Sequence, residues 1–152
     1  MTDLDAIIEH AEQHCRGRGT RLTEKRKHVL ISLLKSERAM SAYELIDCCK
    51  EMFNENIPAM SVYRILEFLQ EEQLVHKLNL ANKYVACSHI TCDHPHEVSQ
   101  FLICNQCSSV KEISVNRSLI DTLKQNVEDA EFELLSPQLE LKCLCQNCAT
   151  AV

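Results

Sequence analysis

Cys104-Asn105-Gln106-Cys107 and Cys145-Gln146-Asn147-Cys148 share the same internal spacing. Two residues between the cysteines let a tight turn aim both sulfurs at one point, which makes half of a tetrahedral zinc centre. Two such halves complete a closed four-cysteine site. The pairs are far apart in the chain, so the site is expected to join the two ends of a small domain. Local disulfides or redox-active thiols are the competing reading of the same spacing.

The compartment bears on that choice. The opening Met1-Thr2-Asp3-Leu4-Asp5 has neither a basic segment nor an apolar run, so no secretory signal is read there. No apolar stretch approaches the roughly 20 residues of a membrane span. A cytoplasmic location and no membrane partner are expected. In a reducing compartment the ten cysteines read first as ligands or small buried hydrophobes. With 152 residues, only two glycines and three prolines, the chain can bury a real core and holds little flexible linker.

A net charge of −6 argues against nucleic acid only if charge is spread evenly. It is not. Arg16, Arg18, Arg21, Lys25, Arg26 and Lys27 stand against a lone Glu24 in one short run. Such a run is a solvated face or a phosphate-binding surface, and the neighbouring elements must decide.

Leu4, Ile7, Ile8, Ala11 and Cys15 recur at helical spacing and predict a first helix that ends near Gly17 and Gly19. Thr23 starts a second helix carrying Val29, Leu30, Leu33 and Leu34 on one face. Ser41 caps a third, with Glu44 completing a capping box. The adjacent Cys48 and Cys49 diverge by about 100° on that helix, so they cannot chelate one ion side by side. A fourth helix follows Pro58 and buries Val62, Ile65, Leu66 and Leu69. Ser61, Tyr63, Arg64 and Glu67 lie away from that stripe, where a helix-turn-helix recognition helix meets base edges. Leu74–Leu78 and Lys83–Cys87 then alternate as two strands. Helices followed by a hairpin describe a winged helix.

Beyond a ligand-rich connector over residues 88–99, strands are expected at Gln100–Cys104 and Val110–Val115 around the first cysteine turn. A helix capped by Asn116 or Ser118 carries Leu119, Ile120, Leu123 and Val127. Phe132–Leu135 and Leu139–Leu144 alternate as two further strands. The fold class is therefore α+β, with a winged-helix domain over 1–86, a hinge over 87–97 and a small α+β domain over 98–152.

Several segments, in order, resemble the ferric uptake regulator family of metal-dependent repressors, and most closely its zinc uptake branch. They are Arg21-Leu22-Thr23-Glu24-Lys25-Arg26, Ser41-Ala42-Tyr43-Glu44-Leu45, Ser61-Val62-Tyr63-Arg64-Ile65-Leu66-Glu67-Phe68-Leu69, Val75-His76-Lys77, Tyr84-Val85-Ala86-Cys87, Phe101-Leu102-Ile103-Cys104-Asn105-Gln106-Cys107 and Val110-Lys111-Glu112. The resemblance implies a carboxy-terminal dimerisation domain and two zinc ions per subunit. One is structural, at Cys104, Cys107, Cys145 and Cys148. The other is regulatory, at positions matching His76, Cys87, His96 and Glu112. His94 or His89 is an alternative to His96, and Cys92 is a further candidate sulfur. Cys143 is expected to pack, with substitution for Cys145 as the alternative.

The implied function is a zinc-responsive transcriptional repressor that binds double-stranded operator DNA as a homodimer, with one or two dimers per operator, and controls zinc uptake genes. Arg64 is the candidate for guanine, Ser61, Tyr43 and Tyr63 for neighbouring bases or phosphate, and Arg21, Lys25 and Arg26 for the phosphate backbone. Cysteine at position 87 is softer than the nitrogen and oxygen ligands of iron and peroxide sensors, the alternative within the family, and favours zinc. A zinc enzyme is not expected, since neither His-Glu-x-x-His nor the deaminase motif pair is present. A thiol switch built on Cys48, Cys49 or Cys92 is the remaining reading.

Overall fold

The computed structural model describes residues 3–36, 38–88, 90, 99–135 and 138–150. Its contacts divide the chain into two compact units, Met1–Asp93 and His94–Val152.

In the first unit, helix α1 (Asp3–Gly17) buries Ala11 and Cys15. It stops where Gly19 takes a positive φ of 77° and the Thr20 N–H closes onto the Cys15 carbonyl at 2.8 Å, a turn that favours a residue without a Cβ. Helix α2 (Glu24–Lys35) starts at Thr23, whose hydroxyl accepts from the Arg26 N–H. Helix α3 (Ala42–Phe53) starts at Ser41, which accepts from the Glu44 N–H at 3.2 Å, and ends at Asn54 in the left-handed region. The Glu44 carboxylate faces Lys83 Nζ at 3.2 Å. Helix α4 (Ala59–Glu71) follows Pro58. Strands β1 (Val75–Leu78) and β2 (Lys83–Ala86) form an antiparallel wing that pairs His76 with Val85. Met40 adds a bridge to Tyr84 through two backbone hydrogen bonds of 2.8 and 3.0 Å, a contact that no periodicity in the sequence announces.

The core of this unit follows the predicted stripes of α2 and α4. Val29, Leu30 and Leu33 of α2, Leu45 and Cys49 of α3, and Val62, Ile65, Leu66 and Leu69 of α4 pack with Leu74, Val75 and Tyr84. Each fully buried leucine is worth about 1.5–3 kcal/mol of transfer free energy. Glu72, just beyond α4, is buried and holds α1 from two sides. Its carbonyl lies 2.9 Å from His14 Nε2, and its carboxylate 3.0 Å from Arg18 Nε.

In the second unit, β3 (Ser99–Cys104) is the central strand of the order β4-β3-β5. It runs antiparallel to β4 (Val110–Ser114) and parallel to β5 (Leu139–Cys143). Helix α5 (Arg117–Asp129) connects β4 to β5, and α6 (Gln146–Thr150) ends the described chain. Asn116 is the cap of α5, its Oδ1 accepting from the Ser118 N–H at 3.0 Å, which resolves the choice between Asn116 and Ser118. The buried apolar set is small: Phe101, Ile103, Val115 and Ile120, with Cys104.

The expected strand over Phe132–Leu135 does not form. Helix α5 closes with Glu131 at φ 65° and the Phe132 N–H on the Val127 carbonyl, a left-handed stop, and the chain beyond it is irregular, with Phe132 and Leu135 exposed and Leu134 half-buried. Apolar alternation makes a strand only where the segment is laid along a sheet edge, and among the described residues this one pairs with neither β4 nor β5. Of the terminal cysteine pair, Cys145 immediately precedes α6 and Cys148 lies inside it, so a short helix takes the place of a simple tight turn. Among the described residues no helix is long and apolar enough to cross a membrane.

Candidate metal centre and nucleic-acid interface

Strand β3 ends at Cys104, and the chain turns back through Asn105 and Gln106. The Ser108 N–H donates to the Cys104 carbonyl at 3.1 Å, and the Cys104 N–H to the Ser109 carbonyl at 2.9 Å. Ser108 takes a φ of 62° to allow this. The Asn105 N–H donates to the Cys143 carbonyl at 2.9 Å, which ties the turn to the end of β5. Cys145 then precedes α6, with its carbonyl accepting from the Ala149 N–H at 2.8 Å. The result is that the sulfurs of Cys104, Cys107, Cys145 and Cys148 all lie within 4.8 Å of one another.

The spacing identifies the chemistry. Cys107 Sγ and Cys145 Sγ are 3.7 Å apart, far beyond the roughly 2.05 Å of a disulfide. A tetrahedron with zinc–sulfur distances of about 2.3 Å has an edge of about 3.8 Å. Four thiolates at that spacing, with no position open for water or substrate, suit a structural zinc ion. Cys143 stays outside the cluster, half-buried on β5 and paired in register with Cys104.

The electrostatics show why a cation belongs there. Backbone N–H groups of Cys107, Cys145 and Gln106 hold the Cys104 thiol down at about 6, and the Ser109 hydroxyl, 3.1 Å from Cys107 Sγ, lowers Cys107 as well. Cys148 is pushed up to about 12, first by its hydrogen bond with Cys145 and then by burial and by the sulfurs of Cys104 and Cys107. The backbone stabilises the first thiolate, and the crowd of sulfurs resists the last. A divalent ion reverses that resistance. Ser109 is a supporting residue that the cysteine spacing alone does not reveal.

The proposed regulatory ligands divide between the units. In the first unit, His76 on β1 and the buried Cys87 just beyond β2 bring their ligand atoms within 4.8 Å of each other. The Cys87 N–H donates to the Leu74 carbonyl at 2.9 Å, so the wing's own ladder fixes the thiol's position. In the second unit, Glu112 on β4 accepts from the Ser99 hydroxyl at 2.8 Å. His96, with His89, Cys92 and His94, lies outside the described residues.

The DNA-reading candidates sit on the first unit. Tyr43 on α3 and Tyr63 and Arg64 on α4 are exposed, and Ser61 is half-buried. The basic run is less of a surplus than it looks in sequence, because acids from elsewhere in the chain meet it. Arg18 pairs with Glu72, and Lys27 with Glu12 at 2.7 Å as well as with Glu24. Arg21 and Lys25 are exposed. Arg26 is half-buried, with its guanidinium 3.7 Å over the Phe68 ring and one nitrogen 2.6 Å from the Arg21 carbonyl.

Of the other thiols, Cys49 is buried and Cys48 half-exposed on diverging sides of α3, with Cys48 Sγ 3.3 Å from Met52 Sδ. Burial pushes the Cys15 and Cys49 thiols up, which makes both poor nucleophiles. A switch built on the Cys48–Cys49 pair finds no support there, and Cys92 lies outside the described residues.

The model of the ferric uptake regulator family matches residues 17–142. The chain belongs to that family. Among the relatives of this family member, the zinc uptake regulation protein of Escherichia coli strain K12 is 34% identical over 147 residues, covering 97% of this chain and 84% of the relative. A zinc uptake regulator solved in complex with zinc and DNA is similar at 32% identity and a TM-score of 0.87, over 98% of this chain and 97% of that one. The holo form of XcZur is similar at 32% identity and a TM-score of 0.82, over 97% and 99%.

Proposed function

We propose that this member of the ferric uptake regulator family is a zinc-responsive transcriptional repressor. Its homodimer would bind operator DNA when the regulatory site is filled and so control zinc uptake genes. The reading is carried by Cys87 beside His76: a soft sulfur and an imidazole paired on the wing of a DNA-binding unit. The likeness to a zinc uptake regulator solved with zinc and DNA supports it. Each subunit takes two ions, one at Cys104, Cys107, Cys145 and Cys148 and one shared by His76, Cys87, His96 and Glu112. When bound, the second ion supplies a cross-link that favours the DNA-binding pose. To act as a switch it must favour that pose by about 1–3 kcal/mol.

The roles of the residues follow from their chemistry. Arg64 donates to guanine in the major groove, and Ser61, Tyr43 and Tyr63 contact flanking bases or phosphate. Arg21 and Lys25 meet the backbone, with Arg26 beside them, and give the affinity its salt dependence. The exposed Leu119, Leu141 and Leu144 of the second unit supply apolar surface for a second copy. A symmetric dimer reads half-sites about one helical turn apart, so the operator is an imperfect palindrome that takes one or two dimers. An iron or peroxide sensor is the competing reading, and the sulfur at position 87 weighs against it.

A gel-shift assay tests the proposal, using promoter duplexes of zinc transport genes. Retardation that requires zinc and disappears in Arg64→Ala supports it. Equal retardation with zinc and with a chelator, or purified protein carrying iron in place of the second zinc, would end it.

A further inference from the structure

Helix α4 buries every large aliphatic residue on its inner stripe, and yet Met60, in its first turn, is 67% exposed. Met60 and Arg64 stand four residues apart, so they occupy one face of the helix on successive turns. Val62, Ile65, Leu66 and Leu69 point into the core instead. The face that carries the guanidinium therefore also carries a long, flexible, polarizable apolar side chain that the first unit does not use for packing. In the major groove one base presents an apolar group, the C5-methyl of thymine. Residues i and i+4 are about 6 Å apart along a helix, which spans no more than about two base pairs of duplex.

We propose that Met60 is a specificity-determining residue that contacts the methyl group of a thymine within two base pairs of the guanine read by Arg64. This rests on the DNA-reading role proposed for α4 and adds a second, apolar readout to it. Arg64 selects by donating hydrogen bonds, while Met60 selects by excluding water from a methyl group. The two act on neighbouring pairs and contribute independently.

The test is a cycle between protein and DNA. The zinc-loaded full-length protein is titrated onto its best duplex from a random-sequence selection, with each thymine near the Arg64 guanine replaced in turn by deoxyuridine, which lacks only the methyl. At one position the wild-type protein should lose about fourfold in affinity, the worth of one buried methyl group. Met60→Ala should lose a similar factor on the thymine duplex and show no further loss with deoxyuridine there. Met60→Leu should retain the discrimination and Met60→Gln should lose it, with thermal midpoints unchanged in all three. A thymine that stays sensitive in Met60→Ala elsewhere in the site belongs to Tyr43 or Tyr63 and leaves the proposal standing, provided that one sensitivity has vanished. The proposal is overturned if no position is sensitive, or if Met60→Ala keeps the wild-type pattern. If wild-type protein selects no sequence at all, the DNA-reading role itself falls and takes this inference with it.

Discussion

The first unit is held by oil and the second by sulfur. Four helices and a wing bury a continuous apolar cluster in the first unit, whereas among the described residues the second unit buries only Phe101, Ile103, Val115 and Ile120 beside Cys104. A sheet this small is marginal alone, and a structural metal is the usual remedy. The contrast bears on the proposal that one metal serves two ends in one chain. Four sulfurs already gathered on a single unit make a permanent clamp. The imidazole and sulfur proposed on the wing, with further ligands elsewhere in the chain, would make a site that fills or empties without costing either unit its core.

The comparison breaks most readily at Cys104. Cys104→Ser should unfold the second unit, because a structural zinc contributes on the order of 10–16 kcal/mol of apparent folding free energy. The first unit should keep its helical circular dichroism and its own thermal transition. Limited proteolysis that cuts within residues 99–150 while sparing residues 3–88 would establish the difference. Loss of both units together would show that the first also depends on the metal.

Next in size is Leu66→Ala, which removes a fully buried side chain from the first unit. It should cost about 3 kcal/mol in chemical denaturation. The zinc content of the four-cysteine centre should not change. A smaller effect is expected for Cys87→Ser. Both units should remain folded and one zinc should be retained in place of two by metal analysis, while the response of DNA affinity to zinc, about 1–3 kcal/mol, is lost. Smallest is the reactivity of the core thiols. Burial raises Cys15 and Cys49, so iodoacetamide at pH 8 should modify Cys48 first and those two last. A chelator should add Cys104, Cys107, Cys145 and Cys148 to the reactive set and leave Cys15 and Cys49 protected, as mass spectrometry of the alkylated peptides would show.

Much of the first unit is legible in its sequence because its period is helical and its caps are local. Ser41 and Thr23 announce α3 and α2, and the stripe of Val62, Ile65, Leu66 and Leu69 announces a face packed on a core. The four-cysteine centre is legible for a different reason: sulfur at fixed spacing has few other uses in a reducing compartment. Contacts between distant residues are not legible in this way. Glu12 and Glu72 drain charge from the basic run only once the chain has folded, and Glu131 stops α5 with a left-handed turn that no turn residue signals. Phe132–Leu135 alternates like a strand, but the alternation says nothing about whether the chain lays it along a sheet edge. The helix after Cys145 is hidden because five residues are too few to show a period.

Under this proposal, zinc held by His76 and Cys87 with their partner ligands governs the grip on DNA. The most direct test is the fluorescence anisotropy of a labelled operator duplex titrated with wild-type protein under buffered free zinc, with the bound metal measured at each point. Affinity should rise about 5- to 150-fold as the second zinc of each subunit binds, with the first already in place. Affinity that stays level while the metal content doubles would contradict it.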